Sequence, residues 1–268
     1  MTRNLAFLIM ILAAACAVNP YAKTNKTHKK QLKEYTRSMR QQPDQAKFGH
    51  NGFFVGTTNF SVRTPDFVII HHTAQNSCDE TFKTFTTPRA QVSSHYVICR
   101  EGYVYQMLDD RFRAHHAGVS KWGPVRDMNS ASIGIEIDNN GFEPFTDAQI
   151  ESLLRVLDTL KTKYRIPAAN FIGHADIAPK RKVDPNIYFP WKKLAENGFG
   201  LWYKDTTDLV VPEHFDPIEA FRFIGYDTRD TLAVIRTFKQ KFLQDTILEM
   251  SDADIKVLYA LKLAYAER

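Results

Sequence analysis

Apolar residues run unbroken from Phe67 to Ile70 and then give way to two adjacent histidines, His71 and His72. A continuous apolar run of that length reads as a central strand buried on both faces. Successive strand side chains point to opposite faces, so only one of the two histidines can face a site at the strand end. Ala131 to Asp138 (ASIGIEID) alternates as another strand, with Glu136 set among Ile133, Ile135 and Ile137. Ser94 to Cys99 and Gly102 to Met107 predict a hairpin-like pair of strands. Phe171 to His174 predicts a short strand that feeds a polar loop ending at Asp184-Pro185. Helical spacing is clearest at Ile150, Leu153, Leu154, Leu157 and Leu160, which form one stripe between a capping-box signal at Thr146 and Gln149 and the stop at Pro167. Asp79 to Phe85 predicts a shorter helix with Phe82 and Phe85 turned inward. Strands alternating with helices predict an α/β domain over residues 51–205. Past Trp202, Val210-Val211-Pro212 reads as a linker. Three helical patterns follow it, Ile218/Phe221/Ile224, Leu232/Ile235/Phe238/Phe242 and Ile255/Leu258/Tyr259/Leu263, and predict a small three-helix bundle over 213–268.

The N-terminus obeys a different pattern. Arg3 is followed by an apolar run from Leu5 to Ala15, too short to span a bilayer, and then by small residues around Cys16, so 1–20 reads as an export signal. Leu12-Ala-Ala-Ala-Cys16 is a loose lipoprotein box that would make Cys16 a lipid anchor, while Ala15-Cys16-Ala17 fits ordinary signal cleavage. The net charge of +5 is placed unevenly, because residues 23–50 hold eight Lys or Arg against Glu34 and Asp44. With few apolar residues to offset the entropy of ordering, 21–50 is expected to be a flexible basic tether. It lacks the interleaved aromatics of a nucleic-acid surface. Cys78 and Cys99 can be joined in an exported protein, but Cys99 lies in a strand-like stretch that suits a buried thiol, and the pair is assigned no chemistry.

Two stretches carry candidate chemistry, FVIIHHTA and FIGHADIAPKRKVDP. Catalytic zinc takes three protein ligands and keeps a fourth position open, so two histidines and a carboxylate would complete the set. His71, His174 and Asp184 are the candidates, with His72 and Asp176 as alternatives. A carboxylate in an apolar strand is costly to bury unless paired, protonated or used, which singles out Glu136 as a proton acceptor. Lys182 could stabilise a developing oxyanion. Assembled, these residues read as a site for metal-assisted amide hydrolysis with Zn2+.

The stretches IIHHTA, SSHYVI, HHAGVSKWG, NSASIGIEIDN and GHADIAPKRKVDP, in this order and spacing, closely resemble the zinc-dependent N-acetylmuramoyl-L-alanine amidases of the amidase-2 group. That group shares a fold with T7 lysozyme and animal peptidoglycan-recognition proteins, so the resemblance implies a mixed central sheet flanked by helices. It implies zinc ligands at His71, His174 and Asp184, an acid/base at Glu136, catalytic support from Lys182, and a supporting role for His72 on the other face. Ser94, His95, His116 and Trp122 are the implied substrate wall. His116 matches the family histidine, whereas His115 stands where tryptophan is usual. The partner implied is peptidoglycan or its muropeptide fragments, met by a monomer in the periplasm or at the outer membrane. The helical C-terminus resembles a small peptidoglycan-binding module. Two competitors remain: a recognition protein that binds without cutting, and a zinc peptidase acting inside the stem peptide.

Overall fold

The computed structural model describes residues 19–40, 57, 59, 61–62 and 64–267. Cys16 and the apolar run expected to form the export signal lie outside these residues, as do residues 41–50 of the basic segment and 51–56 of the expected α/β domain. The chain divides into two units, Met1–Phe60 and Ser61–Arg268.

Within the first unit stands helix α1 (Ala22–Met39), which has no buried residue. Over these residues the expected flexible basic tether is helical. Lys, Arg, Gln, Glu, Leu and Met have high helix propensity even where nothing packs on them. Lys30 and Glu34, one turn apart, add an exposed ion pair at 3.8 Å.

The second unit is built on five strands: β1 (Phe67–His72), β2 (Tyr96–Ile98), β3 (Val104–Gln106), β4 (Ser132–Ile137) and β5 (Phe171–Gly173). Their order is β3-β2-β4-β1-β5. All pairs are parallel except the β2–β3 hairpin. The sheet is mixed, as the resemblance implied. Because β1, β4 and β5 run the same way, their carboxyl ends open on one edge, where parallel sheets gather ligands.

One face of the sheet packs Val68, Ile70, Ile133, Ile135 and Ile137 against Leu153, Leu157 and Leu160 of α4 (Asp147–Tyr164). The capping box of Thr146 and Gln149 starts α4 as expected. The helix ends with Arg165 in the left-handed region (φ 56°), before Pro167 is reached. Helix α2 (Cys78–Phe85) starts beside the exit of β2, and Cys78 is bonded to Cys99 with their Cα atoms 5.6 Å apart. The reading of Cys99 as a free buried thiol is corrected accordingly. A separation of 21 residues gives the sequence no sign of that approach.

The other face carries Phe67, Ile69, Trp122, Met128 and Ile172. Onto it fold α7 (Pro217–Ile224), α8 (Thr231–Phe242) and α9 (Asp252–Ala266), three helices as expected. Two details differ. Leu232 and Leu263 are exposed, and Val234, Val257, Leu261 and Tyr265 are buried instead. More important, Phe221, Phe238 and Leu258 belong to the same apolar cluster as Phe67 and Trp122. The expected division into a catalytic domain and a separate bundle is replaced by one shared core. Among the described residues, no helix is long and apolar enough to cross a membrane.

Candidate metal centre

Three elements deliver the centre. His71 stands near the carboxyl end of β1, His174 opens the single turn α5 (His174–Ile177) directly after β5, and Asp184 lies on the loop beyond. His71 Nδ1 and His174 Nδ1 are 2.9 Å apart, and each is 3.0 Å from Asp184 Oδ2. All three residues are buried, and their ligand atoms lie within 4.8 Å of one another. The backbone ties two of them together, because Ala175 N donates to Asp184 O at 2.8 Å.

The hydrogen-bond network assigns the tautomers. His174 Nε2 donates to Ala117 O at 3.1 Å, which leaves Nδ1 with a lone pair. Ser132 Oγ donates to Met128 O, so His116 Nε2 is the donor toward that hydroxyl and His116 Nδ1 accepts. His71 Nε2 therefore donates to His116 Nδ1 at 3.0 Å, and its Nδ1 is also a lone pair. Two imidazole lone pairs and a carboxylate thus converge with no proton between them. Three mutually repelling acceptors at that spacing fit a divalent cation, and neutral imidazole with carboxylate is a zinc-type donor set. The electrostatics agree. Burial, then the neighbouring His174, pushes His71 down to about 4.

Glu136 is the register neighbour of His71 on β4 and shares its face of the sheet. It is buried, and its Oε2 has no hydrogen-bond partner among the described residues. Burial first, and then the charge of Asp184, raise it to about 8, while Lys182 works in the opposite direction. Lys182 is half-buried, and its charge acts on His71, His72 and Glu136. The five residues singled out for the chemistry are therefore brought to one place.

His72 turns away, as strand alternation requires. Its Nδ1 accepts from Asn186 N at 3.1 Å, the supporting part expected of it. The substrate wall fares differently. Ser94 Oγ donates to Gly134 O, and His95 is clamped between Gly134 N and the carbonyl of Phe112. Both are fully buried braces of β4 and are corrected from substrate contacts to supports. Trp122 is likewise corrected: it is buried against Tyr226 and Gly225 in the apolar core. His116 lies behind His71 rather than before it. It packs against Gly134, where a Cβ would come within 2.5 Å of its ring, so only glycine leaves room.

Several supporting residues were not singled out from sequence. Arg181 Nη2 donates to the carbonyls of Ala117 and Val119 and shapes the loop that holds His174, although in sequence it is one charge in a basic run. Asn129 accepts from the backbone N–H groups of His116 and Ala117. Asn in NSASIGIEIDN carried a signal only as part of that motif.

Comparison with known proteins agrees with this geometry. The Amidase_2 family model, described as N-acetylmuramoyl-L-alanine amidase, matches residues 61–187. N-acetylmuramoyl-L-alanine amidase AmiD of Escherichia coli is 37% identical over 151 residues, covering 50% of this chain and 54% of the relative. The 1,6-anhydro-N-acetylmuramyl-L-alanine amidase AmpD of Haemophilus influenzae is 40% identical over 104 residues, 38% of this chain and 56% of that one. The chain thus spans about half the length of the curated relatives it matches. Among solved structures, the complex of E. coli AmiD with anhydro-N-acetylmuramic acid-L-Ala-D-γ-Glu-L-Lys aligns with a TM-score of 0.70 and 28% identity, over 82% of this chain and 98% of that one. AmpDh3 from Pseudomonas aeruginosa aligns with a TM-score of 0.69 and 29% identity, over 81% and 98%. From the motifs, the mixed sheet and the converging acceptors together, residues 61–187 are similar to the Amidase_2 domain of N-acetylmuramoyl-L-alanine amidases.

Proposed function

We propose that this protein hydrolyses the amide bond between N-acetylmuramic acid and the L-alanine of the stem peptide in peptidoglycan or its fragments, using zinc held by His71, His174 and Asp184. The observation that carries the proposal is the convergence of three unprotonated acceptors beside a buried carboxylate without a partner, on a chain whose relatives bear that activity in their names. When bound, the ion supplies Lewis-acid polarisation of the amide carbonyl and lowers the pKa of water.

The chain's own residues supply the rest. Glu136 is buried beside the ligands, and burial raises its carboxyl above the ordinary value, toward the range where a carboxylate can both accept a proton and return it to a leaving amine. Lys182 brings a positive charge to the same edge, suited to an oxygen that becomes negative as the amide carbon turns tetrahedral. His116 and Ala117 fix the ring orientations of His71 and His174, so the donor atoms need not reorganise.

The setting proposed is outside the cytoplasm, in the periplasm or anchored at the outer membrane through Cys16. The Cys78–Cys99 disulfide supports it, because such bonds persist in oxidising compartments. All three ligands come from one chain, which suits action as a monomer.

Product analysis on defined muropeptides, with and without a chelator, tests the reading. An intact stem peptide beginning with L-alanine is the expected product, and chelation should abolish it. Cleavage inside the stem peptide would move the chain to the peptidases. Binding without turnover in a zinc-loaded sample would make it a recognition protein.

A further inference from the structure

Behind the metal loop lies a second buried cluster that the hydrolytic reaction does not use. Asp176 stands two residues beyond His174 on α5 and is 1% exposed. Its carboxylate accepts from Gly173 N at 2.7 Å and Lys241 Nζ at 2.6 Å on Oδ2, and from the Tyr226 hydroxyl at 2.7 Å on Oδ1. Lys241 comes from α8 and Tyr226 from the turn after α7. The C-terminal helices thus grip the metal-bearing turn by a charged group. Lys241 and Tyr226 are buried as well, and the Lys241 ammonium lies 4.1 Å from the centroid of the Trp191 ring.

Apolar contacts alone would join these helices to the sheet, and Phe221, Phe238 and Leu258 already do so. The ion cluster adds direction. Three donors from three segments on one carboxylate fix the rotation of a single turn, which apolar packing does only loosely. That turn carries His174, and through the bond from Ala175 N to Asp184 O it also sets the position of Asp184. Its other side has no slack, because a Cβ at Gly173 would stand 2.9 Å from Pro185 and 3.0 Å from Trp191.

We propose that Lys241 and Tyr226 are positioning residues for the metal centre: through Asp176 they set the orientation of His174 toward His71 and Asp184, and with it the metal affinity. The C-terminal helices are then part of the metal centre's scaffold. The inference rests on the metal-centre reading above. It concerns residues beyond the ligands and the acid/base.

The test uses the full chain, stripped of metal and titrated with zinc in competition with a chromophoric chelator, with thermal unfolding followed in parallel. Lys241→Met is expected to weaken zinc binding about tenfold, as loss of a partner behind a ligand does. Tyr226→Phe removes one hydroxyl and should weaken binding about threefold, the scale of a single hydrogen bond. Both should shift the visible absorption of the cobalt-substituted protein, which reports ligand geometry. Adding Asp176→Asn to Lys241→Met should cost little more, since both act through one carboxylate. Leu258→Ala, in the core of the same helices, should lower the unfolding temperature and leave zinc affinity and the cobalt spectrum unchanged. Wild-type zinc affinity and spectrum in Lys241→Met and Tyr226→Phe would overturn the inference, as would equal losses in Leu258→Ala. If Lys241→Met does not fold, Tyr226→Phe decides alone. A wild-type chain that binds no zinc would instead sink the metal-centre reading, and the inference with it.

Discussion

Asp110 and Asp184 are both buried aspartates in loops of the same unit, yet their surroundings are opposites. Asp110 accepts from Tyr96, Gln106, Lys163 and Tyr164, at 2.7, 3.2, 2.9 and 2.8 Å. Burial opposes its ionisation, but the hydrogen bonds from Lys163, Tyr96 and Tyr164 prevail and keep the carboxyl below its ordinary value. Every lone pair in use meets a proton, so the group is finished as structure and ties α4 to the β2–β3 hairpin. Asp184 meets two imidazole nitrogens that have no proton to give, and close by Glu136 keeps an oxygen with no partner among the described residues. Burying such a surplus of acceptors is unfavourable in the protein alone. A carboxylate surrounded by donors holds a fold together; one surrounded by acceptors prepares a place for a cation and a reaction.

Substitutions at the two places should separate cleanly. The largest effect is expected for Asp184→Ala, with loss of zinc and a fall in amidase turnover on the order of a thousandfold or more, read by metal analysis and product assay. Glu136→Gln should lower kcat by roughly a hundred- to ten-thousandfold while zinc stays bound. Retained turnover in that variant would remove Glu136 from the chemistry. Lys182→Ala should lower kcat about a hundredfold, again with the metal in place. Asp110→Asn should do the reverse, lowering stability by about 2 kcal/mol through mismatched hydrogen bonds with turnover per folded molecule unchanged, as read by chemical denaturation and active-site titration.

The smallest effect is a slope. In the metal-free protein Glu136 titrates near 8 instead of its ordinary 4.5, so between those values the folded chain holds a proton that the unfolded chain has released, and stability falls as pH rises. His71, at about 4 instead of 6.5, acts in the other direction, because there the unfolded chain binds the extra proton and stability rises with pH. The two oppose each other up to pH 6.5, and the net fall should appear between 6.5 and 8. Glu136→Gln should flatten it, whereas Asp110→Asn should leave it intact.

Legibility in the sequence followed the range of the interactions. The apolar run ending in His71-His72, the alternation around Glu136 and the capping box at Thr146 are local patterns with fixed periods, and each became the expected element. Family motifs added the pairing of His174 with Asp184 across ten residues. Ser94, His95 and Trp122 misled because polar and aromatic residues inside a conspicuous motif look alike whether they face a substrate or brace a strand. Burial decides between these roles, and burial depends on what packs above them. Ala22–Met39 misled for the opposite reason: a lack of apolar residues excludes a core, but it does not exclude a helix.

By itself, then, the sequence determined the strands, the main helices, the three metal-ligand candidates and the acid/base candidate, because periodicity and residue chemistry act over a few positions. Only the tertiary structure decided which nitrogens are bare, which histidine braces another, that Cys78 meets Cys99, and that Lys241 and Tyr226 reach Asp176 from the far end of the chain. Each of these depends on contacts between residues distant in sequence, whose geometry is set by the packing of the shared core.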